Sequence, residues 1–128
     1  MKFYTQIIIY GQSDFNPEEI SANLNVKFSI YHCKGDFNSR LKKKYESGYA
    51  QIESHEASCL KDVIEETLSE YKKIIGISEN QVKIKQSDFY IYVETLQGSF
   101  PLSTDIFSEL KNYFENVEFI IVQETESK

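Results

Sequence analysis

Tryptophan is absent from this chain, and cysteine, proline, methionine and glycine are all scarce. Two cysteines without a secretion signal read as free thiols of a reducing compartment rather than as a disulfide framework. The five glycines are scattered singly as turn residues, so no glycine-rich phosphate loop is present. No apolar run approaches the roughly 20 residues of a membrane-spanning helix. Met1-Lys2 runs straight into an amphipathic strand pattern, with no apolar segment or cleavage site of a secretory leader. A cytoplasmic protein is the expectation. Cations are also in deficit: 14 Lys and Arg against 20 Asp and Glu give a formal charge of −6. That balance argues against nucleic acid and anionic membranes as partners, because neutralising phosphates takes clustered cations. It suits a basic protein partner, and it equally suits a domain that charge merely keeps soluble.

What the chain has in quantity is tyrosine and phenylalanine, nine of each, and such a share favours sheet. A length of 128 residues fits one domain, able to bury about two-thirds of its unfolded surface without staples. The expected domain spans residues 1–123, followed by a flexible polar tail at 124–128.

The clearest local signal is Asp14-Phe15-Asn16-Pro17-Glu18-Glu19-Ile20, just after the apolar run Ile7-Ile8-Ile9-Tyr10-Gly11. Asn16 suits an N-cap, Pro17 the first helical position, and the two glutamates the positive end of the helix dipole. A strand over Phe3 to Tyr10 therefore leads into a short helix from Pro17 to about Asn23. The late half of that strand, Ile7 to Ile9, is expected to be covered on both faces. Val26 to Cys33 alternates, with Val26, Phe28, Ile30 and His32 on one greasy face. Lys34 to Glu46 is polar and reads as an exposed loop. Gly48 to Ser54 is a third strand, with Tyr49, Gln51 and Glu53 opposed to Ala50 and Ile52.

Leu60, Val63, Ile64, Leu68, Tyr71 and Ile75 follow one helical face. Ser58 is the expected N-cap, and Gly76 the expected left-handed stop. Val82 and Ile84 have the opposite parity to Phe89, Ile91 and Val93, so a tight turn or a bulge is expected at Gln86-Ser87-Asp88. Gln97-Gly98-Ser99 marks a turn, and Ser103 caps a third helix holding Ile106, Phe107, Leu110 and Phe114. Val117 to Gln123 is the closing strand. The order predicts an α+β fold: a mainly antiparallel sheet with two to three helices packed on one face. Its first two-thirds follow a ferredoxin-like order.

The residues that could carry chemistry are few. His32-Cys33 with His55 and Cys59 are zinc-type donors, but neighbouring strand residues point to opposite faces, and no metal is expected. Cys59 at a helix start would feel a thiolate-stabilising dipole, yet nothing places a base beside it. Glu18-Glu19 and Glu65-Glu66 sit at helix surfaces, where solvation accounts for them. No catalytic residue and no cofactor is expected. Long loops inside small domains are often functional, which makes Lys34, Asp36 and Arg40, with Tyr49 on the next strand, candidate ligand-binding residues.

Taken in order, these landmarks resemble a family of small bacterial proteins catalogued as domain of unknown function 4279. The features that carry the likeness are the Asp14 to Ile20 segment with Leu24, Lys34-Gly35-Asp36, the Gly48-Tyr49 strand start, the long helix, Pro101-Leu102-Ser103 and Leu110. They run from about Phe3 to Val122. Family members tend to carry tryptophan where His32 and Tyr49 stand here. The resemblance implies a standalone α+β domain of the bacterial cytoplasm and brings no activity with it. Two functions stay open. One is a non-catalytic protein-binding module of immunity or inhibitory type, with tyrosines such as Tyr31, Tyr45, Tyr90 or Tyr92 as anchors. The other is a small-ligand-binding protein or enzyme with its site near the 34–46 loop.

Overall fold

A computed structural model describes residues 1–76, 83–95 and 104–123. Within them the chain runs β1 (Lys2–Gly11), α1 (Pro17–Leu24), β2 (Ile30–His32), β3 (Phe37–Asn38), β4 (Lys43–Lys44), β5 (Tyr49–Glu53), α2 (Leu60–Ile75), β6 (Ile84–Thr95), α3 (Thr104–Leu110) and β7 (Asn116–Gln123). The main sheet has the order β2-β5-β1-β6-β7. Its first four strands are all antiparallel, and β7 adds to the edge of β6 in parallel. Leaving aside the small β3-β4 pair, β1-α1-β2-β5-α2-β6 is the split βαβ arrangement that the sequence order predicts, with one strand more. No helix among the described residues is long and apolar enough to cross a membrane.

The β1-to-α1 corner forms for the reasons legible in its residues. The Asn16 side chain accepts from the Glu19 amide at 3.1 Å, and Pro17 sits buried at the start of the helix. Phe15 is buried and lies over two glycines. A Cβ at Gly48 would stand 2.2 Å from the Phe15 carbonyl oxygen, and one at Gly11 would stand 2.3 Å from the Phe15 Cβ. Both positions therefore require glycine, and the Gly11 amide bonds the Gly48 carbonyl beneath the ring.

The core lies between the sheet and the helices. Phe3, Ile7 and Ile9 of β1, Ala50 and Ile52 of β5, and Phe89, Ile91 and Val93 of β6 meet Val63, Ile64, Leu68, Tyr71 and Ile74 of α2. Two buried threonines join β1 to α2: Thr5 donates to the Val63 carbonyl and its hydroxyl lies 2.9 Å from that of Thr67. Buried Ser87 is satisfied by the Tyr71 hydroxyl at 2.8 Å.

Several expectations are corrected. Residues 34–46 are not a plain loop but a hairpin, β3 with β4. The Asn38 side chain accepts from the Arg40 and Leu41 amides, and Lys42 turns the chain with φ 55°. Strand pairing at 26–33 is confined to Ile30–His32, because Asn25 ends α1 in the left-handed conformation and folds Val26 into the core. Ile30, expected on a greasy face, is 55% exposed. Ile8 is only half-buried, so the late part of β1 is covered on one face rather than two. Cys59, not Ser58, stands at the N-cap of α2, and Gly76 ends it right-handed with φ −68°. Ile74 rather than Ile75 reaches the core. The break in parity is a bulge: Tyr10 faces Gln86 while Gly11 faces Ile84, so Lys85 is the extra residue in an otherwise continuous β6. The expectations on Val82, the 97–99 turn, Ser103 and the 124–128 tail fall outside the described residues.

Candidate functional site

α1 and α2 cover one side of the sheet, and among the described residues no helix lies on the other. The strand pairings identify what that open side presents. Alternation sends Lys2, Tyr4, Gln6, Ile8 and Tyr10 of β1 outward, since Phe3, Thr5, Ile7 and Ile9 go in. Register then places Tyr49, Gln51 and Glu53 of β5, Ile30 and His32 of β2, and Asp88, Tyr90, Tyr92 and Glu94 of β6 on the same side. Glu118, Ile120 and Val122 of β7 complete it.

The side chains there are ordered by one another. Tyr4 and Tyr92 stack with centroids 4.4 Å apart and planes 4° from parallel. The Tyr92 hydroxyl donates to the Gln6 carbonyl oxygen at 3.1 Å. Gln6 donates in turn to Gln51 and Glu53, each at 2.9 Å, and Gln51 donates to the Tyr49 hydroxyl. A chain of hydrogen bonds thus crosses three strands. At the far end Tyr45, from the neck of the hairpin, stacks on His32 at 3.4 Å, and His32 on Tyr49 at 5.1 Å. Tyr10 meets Tyr49 edge-on. Six of the nine tyrosines therefore share this side.

Its electrostatics are acidic. Burial, then the charges of Glu53 and Glu118, pushes the Tyr92 hydroxyl up. Burial raises Tyr4 first, followed by Tyr92, Glu94 and Glu53, and Tyr90 is raised by burial and then by Asp88. The His32 imidazole is pushed down by burial, against the opposite pull of Asp36 and of a Ser47 backbone group. Its Nδ1 is buried with no hydrogen-bond partner.

Beside the stack lies a cleft of about 570 Å³. Three segments form it: Tyr10 to Ser13 after β1, Glu46-Ser47 after β4, and Lys85, Gln86 and Asp88 at the bulge of β6. Asp88 is 7% exposed, and its Oδ1 accepts from Gln86 at 2.9 Å and Asn116 at 3.3 Å.

The residues singled out from the sequence are not gathered in one place. Asp36 accepts from the Cys33 amide at 2.8 Å and so holds the turn at the base of the hairpin, with its charge felt at His32. Lys34 is exposed in that turn, whereas Arg40 is exposed at the opposite end, in the β3-β4 connection. Tyr49 is on the open side of the sheet, in the aromatic stack. Both thiols are free: Cys59 is exposed and Cys33 half-buried, 3.4 Å from Asn16 Oδ1. His55 pairs with Glu66 at 2.6 Å, and because α2 begins only at Leu60, His55 and Cys59 share no helical face. Among the described residues no group of His, Cys, Asp or Glu is arranged to hold a metal. No family model, curated protein or solved structure matches this chain.

The open side and its cleft were only partly visible in the sequence. The signal was there in parity: Tyr4 and Tyr10 alternate against the apolar positions of β1, as Tyr90 and Tyr92 do in β6. The cleft had no such signal, because its three walls are far apart along the chain.

Proposed function

We propose that this protein is a non-catalytic protein-binding module, of inhibitory or immunity type, and that the open side of its sheet is the docking surface for a basic partner. The observation that carries this reading is the concentration of six tyrosines and four aliphatic side chains, interspersed with Glu53, Asp88, Glu94 and Glu118, on a side that no described helix covers. Tyrosine supplies large contact area with a polar end and little entropy to lose, which suits reversible association. The stacks and the Tyr92-Gln6-Gln51-Tyr49 chain fix these side chains before a partner arrives, and so lower the cost of binding. The carboxylates and a net charge of −6 complement a cationic surface and steer its approach.

The same carboxylates speak against single-stranded nucleic acid, the other ligand that stacks on aromatic sheets, since they repel phosphates. On this reading the protein works in the bacterial cytoplasm, where the thiols of Cys33 and Cys59 stay reduced. Affinity capture from the source lysate with salt elution tests the proposal. One basic protein, bound stoichiometrically and released by salt, is the expected result; an empty eluate at low and high salt would refute it.

The cleft favours a second reading, a small-ligand-binding protein. Its volume lies in the range of small-molecule sites. Thermal stabilisation by a metabolite, lost on substitution of cleft residues but retained in Arg40→Ala, would support that alternative and move the site from the hairpin to the cleft.

A further inference from the structure

The cleft is built for a particular kind of group. Asp88 projects from β6 on the open side of the sheet, yet it is more than nine-tenths buried. A carboxylate in that position is costly unless its oxygens are satisfied. Gln86 and Asn116 both donate to Oδ1; no described residue donates to Oδ2, which is not among the buried unpaired atoms and so opens into the cleft. Among the described residues no cation pairs with it: Lys85 lines the same cleft but forms no ion pair. Tyr10 contributes an aromatic ring beside Asp88, and its hydroxyl is pushed up by burial and by the charges of Tyr49 and Asp88. Glu46 adds a second carboxylate, exposed, on the wall across from β6.

We infer that this cleft is the subsite for an arginine side chain of the basic partner. The inference rests on the docking surface proposed above and names what one part of that surface recognises. A guanidinium is a planar fork of donors that pairs with a carboxylate, stacks on an aromatic ring and remains charged at every physiological pH. Here it meets the open oxygen of Asp88, the Tyr10 ring and the Glu46 carboxylate together. A lysine ammonium offers no plane to Tyr10 and loses more hydration on entering a half-buried cleft. A neutral side chain leaves Asp88 uncompensated. The cleft exceeds one side chain in volume, which leaves room for the backbone that carries it.

The test is a nuclear magnetic resonance titration of the full chain with N-acetyl-arginine methylamide. The isosteric but uncharged citrulline compound and the lysine compound serve as comparators. Saturable shifts at the side-chain amides of Gln86 and Asn116 and at Tyr10 are expected for arginine, at least tenfold weaker for lysine and absent for citrulline. Asp88→Asn keeps an oxygen for Gln86 and Asn116 to bond and removes only the charge, so it is expected to fold and to weaken arginine binding at least tenfold. Unchanged affinity in Asp88→Asn, equal shifts from citrulline, or shifts confined to residues outside the cleft would overturn the inference. Should Asp88→Asn not fold, the citrulline comparison in the wild-type chain decides alone. Capture of a basic protein by the open sheet combined with no arginine shifts at the cleft would sink this inference and leave the docking surface standing. Arginine shifts with an empty lysate eluate would do the reverse.

Discussion

The two sides of the sheet are made from the same strands, yet they follow different physical rules. On the helix side, Phe3, Ile7, Ile9, Ile52, Phe89, Ile91 and Val93 are buried, and the few polar groups among them are satisfied internally. On the open side the aromatic residues are tyrosines and His32, packed against one another, with carboxylates between them and glutamines bridging tyrosine hydroxyls. The first side is chemistry for permanent burial, where apolar area and close packing decide. The second is chemistry that tolerates water and retains its order without a cover. A surface of that kind costs little to leave exposed and little to dock, and this contrast is the reason for assigning it to a partner.

The contrast can be broken most severely from the helix side. Phe15→Ala empties the space above Gly11 and Gly48, and a cost of about 3 to 5 kcal/mol is expected. Denaturant unfolding checks it, with the midpoint falling strongly at little change of slope. On the open side the Tyr4→Ser, Tyr92→Ser double variant loses one stacked pair, worth about 1 kcal/mol beyond the ring area it buries, and less in total than the Phe15 cavity. Partner binding, by contrast, is expected to weaken tenfold or more, as for central aromatic anchors. If calorimetry found the reverse ordering, with stability lost and binding kept, the two sides would have been assigned the wrong way round. Asn16→Ala removes the cap of α1 at a cost of about 1 kcal/mol, and should leave binding untouched.

The smallest effect concerns His32. Burial holds its folded pKa below the ordinary value near ~6.5, so below that pH the unfolded chain binds a proton that the folded chain does not. Stability therefore falls as pH drops through the ordinary histidine range, and the loss levels off once the folded imidazole also protonates. His32→Phe, which keeps a ring between Tyr45 and Tyr49, should flatten that part of the profile relative to wild type. Parallel profiles for the two proteins would remove His32 from the explanation.

How much of this was legible in the sequence depended on the range of the forces involved. The β1-to-α1 corner was readable in detail because Asn16, Pro17 and Glu19 act within a few residues of one another. The ferredoxin-like order of elements along the chain followed from their alternation, and the bulge from the clash in parity between Ile84 and Phe89; the order of strands within the sheet did not, because their pairing joins distant segments. The hairpin at 34–46 was missed, since β3 and β4 are two polar residues each and depend on the Asn38 side chain and the φ of Lys42. Tyr49 was picked out, but its role as part of a stack with Tyr45 and His32 depends on pairing between separate segments. Lys34 and Arg40 looked adjacent along the chain, and the hairpin separates them. Asp88 gave no sign at all: its burial arises from Tyr10, Gln86 and Asn116, which only the folded sheet brings around it.

The claim that matters most is that the open side, and not the outer face of α2 with its Glu65 and Glu66 carboxylates, meets the partner. Three tagged proteins settle it in one capture experiment from the source lysate: the wild type, the Tyr4→Ser, Tyr92→Ser variant, and a Glu65→Gln, Glu66→Gln variant of α2. The account predicts one basic protein retained by the wild type and the α2 variant, released by salt, and lost from the tyrosine variant. Equal retention by all three, or loss from the α2 variant alone, would contradict it.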